Sequence, residues 1–218
     1  MTLSALPLAK PRVLRGAEAG QPRHGGILRV RGYDPVHFDP HLTTNFKTHD
    51  TLSFVYSRLV RHKVGADVPP GIFRVEPDLA ERWEELDDTT YVFHLRHGVK
   101  WHNKPPVNGR ELVADDVKFT YDRFMKEPGN PNRYMLDSVD QVEVVDRYTV
   151  KFVLKEPYVW LVNTLAFPWS TWIIAPEVVQ QFGDLKKADT AIGTGPFILE
   201  RYEPNVKSIF KRNPDYFR

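Results

Sequence analysis

Two alternating runs, Gln141 to Val145 and Tyr148 to Leu154, are separated only by Asp146-Arg147. The spacing predicts a β-hairpin, because side chains two apart share one face of a pleated strand. The chain must therefore build a sheet. A third run, in which Tyr91, Phe93 and Leu95 alternate with Val92, His94 and Arg96, reads as another half-buried strand. Val117, Thr120, Tyr121, Phe124 and Met125 recur at helical spacing and define one face of a helix. Asp115 and Asp116 stand where negative charge favours its first turn.

The remaining elements are shorter. A β-prone run, Ile27 to Arg31, follows Gly25-Gly26, and Pro35 and Pro40 then exclude a continuous helix. Leu52, Val55, Tyr56, Leu59 and Val60 predict a helix with Asp50 as its N-cap. A proline-rich excursion, Val68 to Pro77, separates it from a short helix over Leu79 to Leu86 that presents Leu79 and Trp83 together. Val159 to Leu165 is expected to be helical, as is Pro176 to Phe182, with proline in its first turn and Gly183 as its stop. Phe197 to Tyr202 and Val206 to Lys211 flank Pro204-Asn205 as a closing hairpin. There is no internal repeat.

Composition narrows the function classes. The 218 residues are 41% hydrophobic, enough for a core, and 30 Lys+Arg against 28 Asp+Glu give a net charge of +2. Lys10, Arg12, Arg15 and Arg23 against Glu18 place +3 of that before residue 25, so the body carries about −1. Acidic and basic residues are interleaved throughout, unlike the basic stripe of a nucleic-acid binder. Without cysteine there is no disulfide framework and no thiolate chemistry. No apolar stretch approaches the roughly 20 residues of a membrane-spanning helix. Residues 1–26 read as a flexible leader. Its apolar segment Leu3 to Ala9 has the alternative reading of the end of an export signal whose start lies upstream.

No catalytic constellation emerges. His94, His97 and His102 crowd one region without a carboxylate at a recognisable metal spacing, and they are read as surface histidines. His37 and His41 lie four apart, but Pro40 denies them a helix. Gly193-Thr194-Gly195-Pro196 is a structural turn rather than a phosphate cradle, because proline removes a donor and a β-prone run follows. There is no Gly-x-Ser-x-Gly elbow, and Asp115-Asp116 opens a helix rather than forming an acid/base pair. No metal or cofactor is expected. The aromatics Phe46, Tyr134, Phe167, Trp169 and Trp172 fall in loops, where each alone would suit the core but the set could line a pocket.

An ordered series of motifs is more specific than any of these. Pro77-Asp78-Leu79-Ala80-Glu81-Arg82-Trp83-Glu84, Tyr91 through His102, and Ala114-Asp115-Asp116-Val117 with Arg123 resemble the characteristic stretch of the family 5 extracellular solute-binding proteins, the dipeptide and oligopeptide receptors of ABC importers. The resemblance continues through Phe38-Asp39-Pro40-His41, Tyr56 to Val60, Tyr148 to Leu154, Gly193 to Phe197 and Arg212 to Tyr216. It covers the chain from Gly25 onward. Three departures stand out: Val113 replaces the usual Thr or Ser before Ala-x-Asp-Val, Asn108 to Leu112 looks inserted, and the chain stops at Phe217-Arg218.

The resemblance implies a mixed α/β (α+β) fold, the first lobe of a type II periplasmic-binding-protein-like fold with an inserted α+β subdomain. Residues 27–56 and 175–218 would form the base, residues 57–174 the insertion, and the second lobe would be absent. It implies a substrate-binding component, not an enzyme, that takes peptides or similar small solutes to ABC importer membrane subunits in the periplasm or cell-envelope exterior. Thr44, Asn45, Phe46, Tyr134, Phe167 and Trp169 match the ligand cleft, with Thr194 and Gly195 nearby. Nickel complexes, oligosaccharides, haem and opines are the family's other ligands. A different reading is an interaction or sensory module that has retained the receptor lobe.

Overall fold

The computed structural model describes residues 25–169 and 171–218. Its centre is a four-stranded antiparallel sheet in the order β3, β4, β6, β5, where β3 is Ala80–Asp87, β4 Thr90–Leu95, β5 Val139–Asp146 and β6 Thr149–Leu154. The hairpin expected at Asp146-Arg147 is there, with Gln141 opposite Val153 and Val144 opposite Val150. Alternation directs Tyr91, Phe93, Leu95, Val150, Phe152 and Leu154 inward, all buried. Helix α2, Ala114–Lys126, lays Val117, Thr120, Tyr121 and Phe124 against that face. The ring of Tyr121 meets Phe152 edge-on at 5.0 Å.

Val113 offers no side-chain cap to α2. The carboxylate of Asp116 compensates by accepting the Val113 backbone N–H at 3.0 Å. It also receives two hydrogen bonds from Arg110, each 2.7 Å, and Arg110 reaches on to Glu177 at 2.8 Å. Arg110 belongs to the segment that looked inserted. It joins α2 to α4, Pro176–Phe182, which has the expected proline at its start and Gly183 at its end.

Two small antiparallel ladders complete the sheets: β1, Val60–His62, with β2, Val75–Pro77; and β7, Phe197–Glu203, with β8, Lys207–Arg212. Helix α3, Leu161–Leu165, buries Leu161 and Leu165.

Three expectations are corrected. Leu79 to Leu86 is not a helix but strand β3, on the edge of the sheet, with Trp83 opposite Phe93 and stacked on it at 6.5 Å. Ala, Leu and Glu favour helix, but an edge strand tolerates outward charge, and pairing with β4 outweighs local propensity. The helix placed from Asp50 lies earlier, as α1, Phe46–Leu52, with Asn45 as N-cap. Leu52, Val55, Tyr56, Leu59 and Val60 are all buried, as their pattern required, but residues 53–59 lie outside helix and strand and only Val60 opens β1.

Residues 25–31 form no helix or strand, and they belong to a separate unit from residues 32–218. Ile27, Leu28 and Val30 are 85%, 87% and 66% exposed, so the strand expected there finds no partner ladder among the described residues. The leader expected over residues 1–26 lies outside the described residues, apart from Gly25 and Gly26.

Candidate ligand-binding groove

The groove begins with a pinned loop. Thr43 accepts the Asn45 N–H on its hydroxyl at 2.9 Å, while its carbonyl accepts from His49 Nε2 at 3.0 Å and from Asn132 Nδ2 at 3.3 Å. Asn45 then caps α1 by accepting the Lys47 N–H at 3.0 Å. With the entry fixed, Phe46, His49, Asp50 and Ser53 fall at i, i+3, i+4 and i+7 and share one side of α1 and its last turn.

With Thr44, Asn45, Pro168 and Trp169 they line a groove of about 680 Å³. Trp169 is steadied by Phe167, whose ring meets it edge-on at 5.7 Å. The turn beneath is held by the Thr171 hydroxyl, which donates to the carbonyls of Leu165 at 2.8 Å and Phe167 at 3.2 Å.

The polar character of the groove is set by burial. His49 is buried, donates from Nε2 to Thr43 and accepts at Nδ1 from Trp172 Nε1–H at 3.1 Å. Burial pushes its pKa down to about 4, so it is neutral near pH 7. Asp50 is then the one formally charged residue lining the groove. Hydroxyls of Thr44 and Ser53, the Asn45 amide and two aromatic rings supply the rest. Such a surface can stack, donate and accept hydrogen bonds to a polar ligand.

Of the residues expected at the cleft, Thr44, Asn45, Phe46 and Trp169 are brought together, with Phe167 behind Trp169. Tyr134 does not line the groove; it lies on the short 3-10 helix Arg133–Leu136, 68% exposed, and the neighbouring Asn132 donates to Thr43 O. Trp172 belongs to the core, at 3% exposure, its ring under the Arg58 guanidinium at 4.4 Å.

Thr194 and Gly195 lie in a buried turn against the chain just beyond α1. Gly195 N–H donates to Val55 O at 2.8 Å, and Phe197 N–H to Phe54 O at 2.9 Å. A Cβ on Gly193 would stand 2.1 Å from Val55 O, and one on Gly195 2.6 Å from it. Glycine is required by close approach of two backbones. The turn therefore holds the segment that follows Ser53.

The surface reading of the three histidines is corrected at His102. It is buried, donates from Nε2 to Gly195 O at 3.0 Å, and accepts the Gly193 N–H at Nδ1, 3.3 Å. His94 pairs with Glu84 at 3.0 Å, and His97 stacks on Tyr148 at 3.9 Å. The three point to different neighbours. Among the described residues no group of three His, Asp or Glu side chains is placed to hold a metal ion.

Residues missed from sequence are His49, Asp50, Ser53 and Pro168. For His49, Asp50 and Ser53 the signal was the helical spacing counted from Phe46, which the later placement of the helix concealed; Pro168 carried none.

Comparison with known proteins places the fold. The dipeptide-binding protein of Escherichia coli (strain K12) is 37% identical over 202 residues, covering 84% of this chain and 36% of that protein. The periplasmic binding protein DppA from Helicobacter pylori, in complex with the peptide STSA, superposes with a TM-score of 0.72 at 26% identity, covering 86% of this chain and 39% of that one. MoaA from A. tumefaciens R10, in complex with mannopinic acid, gives 0.73 at 29% identity, covering 85% and 36%. The chain thus spans little more than a third of the length of these relatives. Among the described residues no helix is long and apolar enough to cross a membrane. Residues 74–218 match the family model described as bacterial extracellular solute-binding proteins, family 5 Middle. With that share of its length matched, and its fold shared with solved members, the chain belongs to the family 5 bacterial extracellular solute-binding proteins.

Proposed function

We propose that this chain supplies the first lobe of a receptor that binds peptides or chemically similar solutes outside the cytoplasm and delivers them to the membrane subunits of an ABC importer. The observation that carries the reading is the groove itself. It combines two exposed rings, Phe46 and Trp169, with hydroxyl and amide groups on one open surface. Relatives whose names specify dipeptides, and a neighbour holding the peptide STSA, favour a peptide over the opine held by MoaA. On this reading residues 27–56 and 175–218 make the base of the lobe and residues 57–174 its insertion.

The lining also favours a receptor over an enzyme. The Ser53 hydroxyl donates to Asp50 O at 2.6 Å, and both nitrogens of His49 are committed elsewhere. A serine nucleophile would need a base with a free acceptor.

The test is a titration of the 15N-labelled 218-residue chain with di- and tripeptides at millimolar concentration, followed by amide and indole N–H shifts. Shifts should concentrate in residues 44–53 and on the Trp169 indole, without hydrolysis of the peptide. Absence of any shift, or cleavage of the peptide, would overturn the reading.

A further inference from the structure

Within the groove, charge is distributed unevenly. Asp50 is exposed, lines the groove and has no ion-pair partner among the described residues. The closest cation in sequence, Lys47, does not neutralise it; its ammonium lies over the Tyr33 ring, 5.9 Å from the centroid. Phe46, four residues before Asp50, stands on the same side of α1, and Trp169 lines the same groove.

A carboxylate that lines one groove with two exposed aromatic rings is complementary to one kind of group. A Lys or Arg side chain can lay its methylenes along the rings, place its cation over a ring face, and meet the carboxylate with its N–H donors. A neutral side chain would gain only the stacking. An acidic one would face a like charge with no compensating cation in the lining.

Resting on the receptor reading above, we infer that the groove is a subsite for a basic side chain of the bound solute, with Asp50 as its counter-charge and Phe46 and Trp169 as its walls. Basic peptides are then the favoured cargo class at this position. The carboxylate sets the preference and the rings set the common affinity.

The probes are the blocked tripeptides Gly-Lys-Gly, Gly-Leu-Gly and Gly-Glu-Gly, titrated into the 218-residue chain and into Asp50→Asn, with chemical shifts as readout. In the parent chain the lysine peptide should bind about fivefold more tightly than the leucine peptide, and the glutamate peptide most weakly, as expected for one exposed ion pair plus a cation–π contact. The preference should shrink as salt rises to about 0.5 M. In Asp50→Asn, shown to be folded by an unchanged amide spectrum away from α1, lysine and leucine peptides should bind equally. Equal affinities in the parent, or a lysine preference that survives in Asp50→Asn, would overturn the inference and leave the receptor reading standing. Shifts by none of the peptides would overturn both.

Discussion

His102 and Gly195 are joined across 93 residues by a hydrogen bond from imidazole Nε2–H to the backbone carbonyl, 3.0 Å long and buried. The same ring accepts the Gly193 N–H, and the His102 backbone N–H donates to Gly193 O at 2.8 Å. One residue thus pins the turn that packs against Val55, two residues beyond Ser53, the groove residue at the end of α1. Gly195 O also accepts from Asn213 Nδ2 at 2.9 Å, so the carbonyl keeps one partner when His102 is removed.

His102→Ala should therefore cost about 2–4 kcal/mol, combining a stranded buried N–H with the cavity left by the ring. Urea unfolding followed by tryptophan fluorescence would measure it. His102→Gln, which can still donate near the same point, should cost less. Equal stability of His102→Ala and the parent would show that the turn is held by its other bonds.

The same geometry recurs twice. His41 donates from Nε2 to Trp172 O at 3.0 Å and accepts from Arg123 at Nδ1, 2.9 Å, and His49 is bonded in the corresponding way. Burial lowers all three pKa values to about 4, and for His41 the Arg123 charge adds to it. The unfolded chain takes up protons near pH 6.5 while the folded chain refuses them until about pH 4. Stability is then full above pH 6.5 and lost progressively as pH falls toward 4. Each histidine accounts for about 3 kcal/mol over that window. The urea midpoint, measured in steps from pH 7.5 to 4.5, should fall steeply, and His102→Gln should flatten part of the slope. A midpoint independent of pH would contradict the neutral imidazoles.

A buried ion pair ties the first loop to α2. Arg123 contacts Asp39 at 2.6 and 3.2 Å, with side-chain exposures of 7% and 0%. Burial alone would raise the Asp39 pKa, but the hydrogen bond and charge of Arg123 hold it below the usual carboxylate range. Asp39 also accepts the N–H groups of His41 at 3.0 Å and Leu185 at 3.1 Å. Either truncation leaves an uncompensated charge, at a cost of about 3–5 kcal/mol. Asp39→Ala should be the worse of the two because it also strands both backbone donors. Chemical denaturation of Asp39→Ala and Arg123→Ala would test the order; a milder Asp39→Ala would refute it.

How much of this was legible depended on whether a residue's partner was local. Pro176 and Gly183 bound α4 by their own backbone preferences, and the alternation of Thr149 to Leu154 required only one neighbouring strand. Both were placed correctly. The run Leu79 to Leu86 was misread because its local chemistry favours helix and its pairing with β4 is a tertiary fact. His102 carries no sequence mark of its role, since the turn it pins lies 91 to 93 residues away. Thr44, Asn45, Phe46 and Trp169 were named through the resemblance and lie on one groove; Asp50 was assigned to a cap it does not form.

Thr194 supplies a test of how far the turn serves the fold alone. Its side chain is buried, and its hydroxyl has no hydrogen-bond partner among the described residues. A buried hydroxyl left unpaired costs free energy that a methyl group of the same shape does not. Thr194→Val preserves the branched outline and removes only the oxygen, so the neighbours Gly193 and Gly195 keep their approach to Val55. The variant should be as stable as the parent or more stable by up to about 1 kcal/mol. Gly193→Ala, by contrast, drives a Cβ into Val55 O at 2.1 Å and should fold poorly or not at all. Urea midpoints of Thr194→Val and parent, taken side by side at pH 7.5, decide the matter. A loss greater than about 1 kcal/mol in Thr194→Val would mean that the hydroxyl is bonded in the folded state, contrary to the arrangement described for this turn.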